Sequence, residues 1–256
     1  MTEPFSITSA QNERFKSLQT LREKKARDAR QIFLVEGKKE IMLAVKNGFI
    51  LRELWGNEIH ALVGWEGPTY SIPESLFRKV GYREKTEGVI AVVEYKQSTL
   101  DSLNVSSPAL VIVADHLEKP GNIGTLFRVA DSVGATAIVL VGLSTDAYNP
   151  NVIRNSVGTF FAVPFAVAEP EAVVTWLTAK RLTPVVASPD ATAVYHELAW
   201  PKCSALIVGR EHDGVQSNWG KAPLRVKIPM RGQNDSLNVA VSTGVLGYEW
   251  ARIHQR

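Results

Sequence analysis

Apolar and polar residues alternate along this chain in short blocks, and the spacing within each block predicts its secondary structure. Phe15, Leu18 and Leu21 recur every third residue in an otherwise polar stretch, which is typical of an amphipathic helix. Short apolar runs that end in glycine or polar residues are typical of strands. The first part of the chain is therefore predicted to contain strands at 31–37, 50–55 and 88–95 and helices at 10–28, 38–47 and 73–81.

The second part of the chain alternates more regularly between apolar runs and amphipathic stretches. Near-continuous apolar strands that alternate with helices indicate an α/β fold with a parallel sheet covered on both faces. In such sheets, ligands bind at the carboxyl ends of the strands. The predicted strands are 109–114, 136–142, 160–166, 183–187, 204–209 and 224–229. The predicted helices are 122–134, 150–157, 170–180 and 236–253, with a short one near 215–220.

A polar segment separates the two parts. Residues 96–108, KQSTLDSLNVSSP, are rich in serine and end in proline, which is typical of a linker. A chain of 256 residues is long enough for two domains. We therefore expect an N-terminal domain over residues 1–105 and a second domain over residues 106–256.

Composition narrows the class of protein. The longest apolar runs, such as 109–114 and 136–142, are too short to cross a bilayer, and the N-terminus shows no secretory signal pattern. The single cysteine, Cys203, has no partner for an intramolecular disulfide, which favours the reducing cytoplasm. One cysteine and five scattered histidines offer no metal-ligand spacing, so we expect no metal site.

The distribution of charge is more informative than the net charge of +3. Residues 14–39 hold nine basic side chains against three acidic ones. Two interpretations of this segment stay open. It is either a solvated helix face or a phosphate-binding surface, because neutralising phosphates releases counterions and drives binding.

The candidate catalytic and ligand-binding residues lie in polar segments that follow predicted strands. The first, PGNIGTLFRVADSVG at 120–134, places Asn122 where a helix N-cap is expected, with Gly124 and Arg128 in the helix. By itself this pattern also fits an ordinary capped helix whose arginine extends into solvent. It matches neither a dinucleotide fingerprint nor a phosphate-binding loop, because the glycine spacing is incomplete and no lysine follows.

The second segment, ALIVGREHDG at 205–214, joins a strand to a charged turn. A glycine at a strand end, here Gly209, lets a ligand approach the backbone closely. Glu211 could accept hydrogen bonds from an arginine or a ribose. A charged surface turn is the alternative interpretation.

The third segment, IPMRGQNDSLNVAV at 228–241, leads from a strand through a turn-rich loop into the last helix. Ser236 is a natural N-cap, and Asn238 then falls in the first helical turn, where a short polar side chain usually serves a specific contact. Gly244 and Gly247 weaken this helix by about 1 kcal/mol each relative to alanine. They favour close packing, including packing against another subunit, although an ordinary core helix is equally compatible.

In this order, the segments resemble the signature motifs of the SpoU (TrmH-like) family of RNA 2′-O-ribose methyltransferases, within the SPOUT superfamily. The stretches at 9–21 and 33–44 also resemble the RNA substrate-binding domain of that family. The residues that match the motifs are Asn122, Gly124, Arg128, Gly209, Glu211, Gly214, Ile228, Pro229, Met230, Ser236, Leu237, Asn238 and Val239.

The resemblance implies a SPOUT-type parallel α/β sheet with a C-terminal trefoil knot. A small α/β domain, similar to a ribosomal-protein fold that binds RNA, precedes it. The resemblance also implies S-adenosylmethionine as methyl donor, held by the knot loops largely through backbone groups. Carried onto this chain, the donor-binding residues are Gly209, Ile228 and Leu237, with Ser188 as a further candidate.

The implied reaction is an in-line attack of a ribose 2′-oxygen on a sulfonium methyl group. An alcohol is a weak nucleophile, so the site must align it and help to remove its proton. Arg128 matches the family's essential arginine, but a guanidinium stays protonated in proteins and is therefore a poor base. We therefore expect Arg128 to hold the ribose or its phosphate, while a phosphate oxygen or Glu211 assists proton removal. The expected positioning residues are Asn122, Ser236 and Asn238.

The resemblance further implies a homodimer through the C-terminal helices and a structured RNA substrate, with ribosomal RNA favoured. Alternatives are a transfer-RNA ribose methyltransferase, a catalytically silent RNA-binding protein of the same fold, and an unrelated α/β nucleotide-binding enzyme. Arg210 and Ala240 depart from the residues usual in the family, which bears on RNA contacts or subunit packing. The candidate RNA-binding residues are Arg14, Lys16, Arg22, Lys24, Lys25 and Arg154.

Overall fold

The structure is a computed structural model that describes residues 3–57, 65–82, 88–143, 146–210, 213–220 and 223–255. Its strands are β1 (Phe5–Ser6), β2 (Ile32–Glu36), β3 (Leu51–Gly56), β4 (Thr69–Ser71), β5 (Val89–Glu94), β6 (Ala109–Asp115), β7 (Ala137–Val141), β8 (Phe165–Ala168), β9 (Thr183–Ala187), β10 (Cys203–Val208) and β11 (Leu224–Val226). Its α-helices are α1 (Glu13–Thr20), α2 (Lys24–Arg30), α3 (Lys38–Lys46), α4 (Glu74–Val80), α5 (Pro120–Ser132), α6 (Pro150–Ser156), α7 (Thr159–Ala162), α8 (Pro170–Ala179) and α9 (Val239–His254).

The chain folds into two compact units. The N-terminal unit comprises Met1–Gln97 and Tyr148–Ala162, and the C-terminal unit comprises Ser98–Ala147 and Val163–Arg256. These units differ from the division expected at residue 105, because 98–105 belong to the C-terminal unit and 148–162 to the N-terminal unit. The boundary at residue 105 between an RNA-binding domain and a catalytic domain stays a prediction.

Aromatic packing explains why residues 148–162 join the N-terminal unit. The Tyr148 ring stacks on Tyr95 with centroids 3.9 Å apart, and its hydroxyl donates to the Lys96 carbonyl oxygen at 2.7 Å. Phe161 stacks against Phe33 and meets Phe49 edge-on. The sequence pattern missed this arrangement because the apolar residues of 160–166 look like one buried strand.

The N-terminal unit is built on a mixed sheet with strand order β1-β4-β3-β5-β2. β1, β4 and β3 run parallel, whereas β5 pairs antiparallel with β3 and β2. α1 and α4 contribute Phe15, Leu18 and Phe77 to a hydrophobic core with residues of the sheet, including Trp55. This core confirms the apolar face predicted for the first helix.

The C-terminal unit is a parallel sheet with strand order β11-β9-β10-β6-β7-β8. Every residue of β6 and β7 is buried, because both faces of a parallel sheet are covered in this class of fold. α5 packs against α9. The predicted parallel α/β architecture is confirmed, and the trefoil knot stays a prediction. Within the described ranges, no helix has the length and apolar character that crossing a membrane requires.

Several predicted elements have different bounds or identities. Residues 10–28 form two helices, because the buried Arg27 donates to the carbonyl oxygens of Leu21 and Arg22 and so satisfies the end of α1. Residues 160–166 contain the end of α7 and the start of β8 rather than one strand. The described residues around 215–220 are irregular rather than helical. β11 ends at Val226, shorter than predicted.

Candidate active site

Loops at one edge of the C-terminal sheet form a cleft. β9, β10 and β11 are parallel neighbours, so the loops that follow them begin at the same edge of the sheet. These loops and the start of α9 enclose about 760 Å³, a volume that includes space open to solvent. The cleft brings together the residues predicted to bind the methyl donor, which are Ser188, Gly209, Ile228 and Leu237.

The lining of this cleft is largely apolar, with a few polar side chains. Val208 and Val226 are the last residues of β10 and β11, and Leu246 approaches from α9. Asp235 and Ser236 contribute polar atoms from the loop before α9. An apolar surface with a small number of polar groups is typical of sites for small organic ligands and cofactors.

Gly209 is required by the chain itself. Residues 210 and 214 close a tight hairpin, in which the Arg210 amide donates to the Gly214 carbonyl oxygen at 2.9 Å. A Cβ atom on Gly209 would lie 2.1 Å from that same oxygen. The position of this glycine at a strand end predicted close approach of a ligand, but the nearest obstacle to a side chain is the backbone of the hairpin.

Arg210 joins the loop after β6 to the hairpin after β10. Its Nε donates to the His116 carbonyl oxygen at 3.0 Å, and its Nη2 lies 2.9 Å from Glu118 Oε1. Asp213 Oδ2 lies 3.7 Å from its Nη1. Arg210 also lines the cleft. This departure from the usual family residue therefore acts within the chain, where it connects two loops at the cleft.

Asp115 was not recognised in the sequence, although it anchors the segment after the hairpin. This fully buried carboxylate accepts hydrogen bonds from the amides of Gln216 and Ser217, the Ser217 hydroxyl and the Trp219 indole N–H. His116 Nδ1 lies 2.5 Å from its Oδ1. A charged residue that continues the apolar run ALVIVA was the available signal.

The pKa of Asp115 reflects these contacts. Burial raises the pKa of a carboxyl group, because the charged form loses its hydration. The hydrogen bonds from Ser217, His116 and Trp219 favour the charged form and outweigh burial, so the pKa of Asp115 lies below its ordinary value. Asp115 is therefore a charged anchor for the loop at neutral pH.

The first and third motifs meet through two asparagines. Asn238 donates from Nδ2 to Asn122 Oδ1 at 3.1 Å. The predicted N-caps are wrong at both helices: α5 begins at Pro120 with Lys119 at the N-cap, and α9 is capped by Asn238 rather than Ser236. Asn238 caps because its Oδ1 accepts from the Ala240 amide at 3.0 Å.

The remaining predicted catalytic residues have different surroundings. Arg128 lies on α5 with an exposed side chain, and it forms no side-chain hydrogen bond or ion pair with any residue in the described part of the chain. It is not one of the residues that line the cleft. Ser236 is exposed, lines the cleft and contacts Asp235 Oδ1 at 3.3 Å. Glu211 lies outside the described residues.

The basic residues of the N-terminal segment divide into two groups. The guanidinium carbons of Arg14 and Arg22 each lie 4.8 Å from the centroid of a tyrosine ring, and Lys24 pairs with Asp28 at 2.5 Å. Lys16 and Lys25 are exposed, and neither forms an ion pair with any residue that the structure describes. The segment is thus partly a structural surface and partly a source of free positive charge.

Arg154 belongs to the N-terminal unit, because α6 packs there. Its Nη1 donates to the Tyr82 carbonyl oxygen at 3.1 Å. The Arg22 guanidinium lies over the ring of the same tyrosine, and Arg22 Nη1 donates to the Lys79 carbonyl oxygen at 3.0 Å. Two predicted RNA-binding arginines that are distant in the sequence therefore meet at Tyr82.

Gly244 and Gly247 of α9 have different surroundings. A Cβ atom on Gly247 would lie 3.3 Å from the methyl groups of Val133, so this glycine allows α9 to pack closely on the chain's own α5 region. No described atom lies within 4 Å of the corresponding position on Gly244. Val241 and Tyr248, seven residues apart on the same helix, are both exposed. Close packing within the chain thus accounts for Gly247 but not for Gly244.

The fold and the cleft define an α/β protein that binds a small organic ligand at the carboxyl edge of its parallel sheet. Residues 109–248 match the family described as the SpoU rRNA Methylase family, and residues 12–91 match the MRM3-like substrate binding domain. The chain belongs to the SpoU rRNA methylase family.

Individual relatives are similar over nearly the whole chain. The 23S rRNA (uridine(2479)-2′-O)-methyltransferase of Streptomyces viridochromogenes is 32% identical, over 96% of this chain and 91% of its own length. The 23S rRNA (guanosine(2553)-2′-O)-methyltransferase RlmP of Bacillus subtilis is 30% identical, over 94% and 97%. A crystal structure of an AdoMet-bound rRNA methyltransferase from Sinorhizobium meliloti is 27% identical, with a TM-score of 0.88 over 97% of each chain.

Proposed function

We propose that this protein transfers a methyl group from S-adenosylmethionine to a ribose 2′-hydroxyl of ribosomal RNA. The observation that carries the proposal is the convergence of the motifs at one edge of the sheet. Gly209 of the second motif and Ile228 and Leu237 of the third line a single cleft. Asn122 of the first motif is bonded to Asn238 of the third.

The cleft fits the methyl donor. S-adenosylmethionine has a flat apolar base, a ribose and a charged amino-acid end, which together suit an apolar lining interrupted by polar groups. Ser188, Gly209, Ile228 and Leu237 would hold it, and the Asp235 carboxylate supplies negative charge among the lining residues. When bound, the donor supplies an electrophilic methyl group on a positively charged sulfur.

Arg128 has the properties expected of a side chain that binds the RNA. Its exposed guanidinium is available for a new partner, and a guanidinium binds phosphate or ribose oxygens through several parallel N–H donors. We assign it the role of holding the target ribose or its phosphate. A guanidinium stays protonated in proteins, which argues against a role as base.

The asparagine pair orients the reacting groups. Asn238 is fixed twice, as cap of α9 and as donor to Asn122, so its side chain has little freedom. Ser236, two residues earlier at the cleft, is available to hydrogen-bond the donor or the ribose. Proton removal is assigned to an RNA phosphate oxygen or to Glu211, because catalysis on an alcohol needs an acceptor within hydrogen-bond reach.

The N-terminal unit is proposed to bind the RNA. Arg22 and Arg154 meet at Tyr82 and form a cationic surface from two distant parts of the chain. Arg14, Lys16, Lys24 and Lys25 extend the positive charge along α1 and α2. Charge of this kind neutralises phosphates and makes binding strongly dependent on salt.

We also propose that the protein works as a homodimer through α9. Val241 and Tyr248 are 52% and 57% exposed, and Gly244 between them leaves open space on the helix surface. A glycine flanked by exposed apolar side chains allows a second helix to approach closely. We place the proposed activity in the cytoplasm, the compartment that the single cysteine favoured.

The test is methyl transfer from labelled S-adenosylmethionine to unmodified total RNA, followed by separation of ribosomal and transfer RNA. We expect label in one ribosomal RNA, at a position whose 3′-phosphodiester resists alkaline cleavage. Resistance arises because alkaline cleavage needs a free 2′-hydroxyl.

The other outcomes are equally informative. Label in transfer RNA would retain the reaction and overturn the choice of ribosomal RNA. Hydrolysis with alkali, or at specific bases, can instead locate the label on a nucleobase. That result would overturn ribose methylation. Absence of label from free RNA and from ribosomal particles, despite measurable donor binding, would overturn the proposed activity.

A further inference from the structure

An aromatic row crosses the sheet of the N-terminal unit. Phe5 on β1, Tyr70 on β4 and Trp55 on β3 are register partners on neighbouring strands. The Trp55 and Tyr70 rings stack with centroids 4.2 Å apart and planes inclined by 27°. The Phe5 and Tyr70 rings follow at 5.8 Å and 26°. The three rings therefore form one continuous stack.

The row ends in solvent at Phe5. Trp55 and Tyr70 are buried, whereas 65% of Phe5 is exposed. β1 is the edge strand of its sheet, and in the described ranges no further strand pairs with its outer side. A buried stack that continues to an exposed ring leaves a flat apolar surface on which another ring can stack.

Positive charge lies beside this surface. The Arg14 guanidinium carbon is 4.8 Å from the centroid of the Tyr70 ring, and Arg14 also donates to the Tyr70 hydroxyl. Burial raises the pKa of Tyr70, so its ring stays neutral beneath the cation at physiological pH.

We propose that Phe5 is the stacking platform for an unpaired nucleobase of the RNA substrate, and that Arg14 binds the adjacent phosphate. Aromatic side chains hold splayed single-stranded bases by stacking, and arginine contributes through charge and through its flat guanidinium. The inference rests on the proposed function, because it assigns the platform to the same RNA. It adds a requirement for a single-stranded nucleotide next to the structured part of the substrate.

The test uses the full chain and a short single-stranded oligouridylate RNA that carries one 2-aminopurine. Uridines stack weakly on one another, so quenching of 2-aminopurine fluorescence on binding reports stacking on the protein. We expect quenching with the wild type, loss of quenching and about tenfold weaker binding for Phe5→Ala, and retention of both for Phe5→Trp. Ile50→Ala, which removes a similarly exposed apolar side chain of the same unit, is expected to leave both unchanged.

Salt dependence separates the two roles. Phe5→Ala is expected to leave the slope of log affinity against log salt unchanged, whereas Arg14→Ala is expected to reduce it by about one. Because Phe5 is largely exposed, circular dichroism of Phe5→Ala is expected to match the wild type. Quenching and affinity of Phe5→Ala equal to those of Ile50→Ala would overturn the platform.

Methyl transfer to ribosomal RNA distinguishes this inference from the proposed function. Transfer by the wild type together with quenching that does not depend on Phe5 would remove the platform alone. Quenching that depends on Phe5 without methyl transfer to any RNA would remove the proposed activity and retain the platform as an RNA-binding site.

Discussion

At the scale of single residues, the candidate site depends on a few hydrogen bonds between distant parts of the chain. Asn122 and Asn238 are 116 residues apart, yet one bond joins them. Asn238 also caps α9, a role worth about 1 kcal/mol in typical helices. One side chain thus contributes to both the stability of a helix and the geometry of the proposed site.

Arg128→Ala is expected to reduce kcat for methyl transfer by at least about 100-fold, because an alcohol that is no longer positioned reacts slowly. Donor affinity, measured by calorimetry, is expected to stay within about twofold of the wild type, since Arg128 is not among the residues that line the cleft. The midpoint of thermal unfolding is also expected to stay unchanged. Unchanged kcat would contradict the role assigned to Arg128.

Gly209→Ala is expected to lower the free energy of unfolding by about 1–3 kcal/mol and to weaken donor binding. The added methyl group would lie 2.1 Å from the Gly214 carbonyl oxygen, so the hairpin must shift. Urea unfolding and donor titration measure the two effects. The matched control is Gly232→Ala, because no described atom lies within 4 Å of a Cβ there. Equal stability of the two variants would contradict the steric argument.

At the scale of elements, the loops of the cleft are held by anchors outside the recognised motifs. Asp115, at the end of β6, binds the segment at 216–219 through several donors. Arg210 ties the hairpin after β10 to the loop after β6. These contacts position the loops before any ligand binds, which reduces the ordering that binding would otherwise require.

Asp115→Asn is expected to lower the free energy of unfolding by about 3 kcal/mol at pH 7, because it leaves buried donors without a charged acceptor. The pKa of Asp115 is depressed in the folded protein, so its stabilisation is present above its ordinary value of 3.8 and is lost as pH falls through the folded value. The difference between variant and wild type should therefore shrink in strong acid.

Urea unfolding at neutral pH and at pH values below 3.8 measures this difference. Asp131→Asn, which changes an exposed carboxylate on α5, is the matched control and should have little effect at either pH. A destabilisation by Asp115→Asn that stays constant down to strong acid would contradict the role of its charge.

At the scale of the whole molecule, the two compact units do not follow the two family matches. The SpoU match covers residues 109–248, but residues 148–162 within it pack with the N-terminal unit. Arg154 and Arg22 consequently share Tyr82. The proposed RNA-binding surface therefore draws residues from both matched regions.

Introducing aspartate at both Val241 and Tyr248 is expected to convert a dimer into a monomer, because two charges would have to be buried in the proposed interface. Sedimentation equilibrium measures the mass of each species. Val167→Asp, at a similarly exposed apolar residue on β8, is the matched control and should leave the mass unchanged. A monomeric wild type, or a dimeric double variant, would contradict the proposed interface.

The sequence by itself determined the parallel sheet and most of its elements. β6, β7 and β10 follow from apolar runs, because a strand buried on both faces needs mostly apolar side chains. Ser188, Gly209, Ile228 and Leu237 were expected at the donor site and line one cleft. Local pattern and motif resemblance were sufficient here, because the loops after parallel strands meet at one edge.

The tertiary structure alone decided the features that depend on long-range contacts. It showed that Asn238 rather than Ser236 caps α9, that Asp115 anchors the loop at 216–219, and that Arg154 and Arg22 both contact Tyr82. The physical reason is that spacing along a chain encodes periodicity and local capping but not the partner of a side chain. Packing determines which donor binds which acceptor. The two residues can lie more than a hundred positions apart in the sequence.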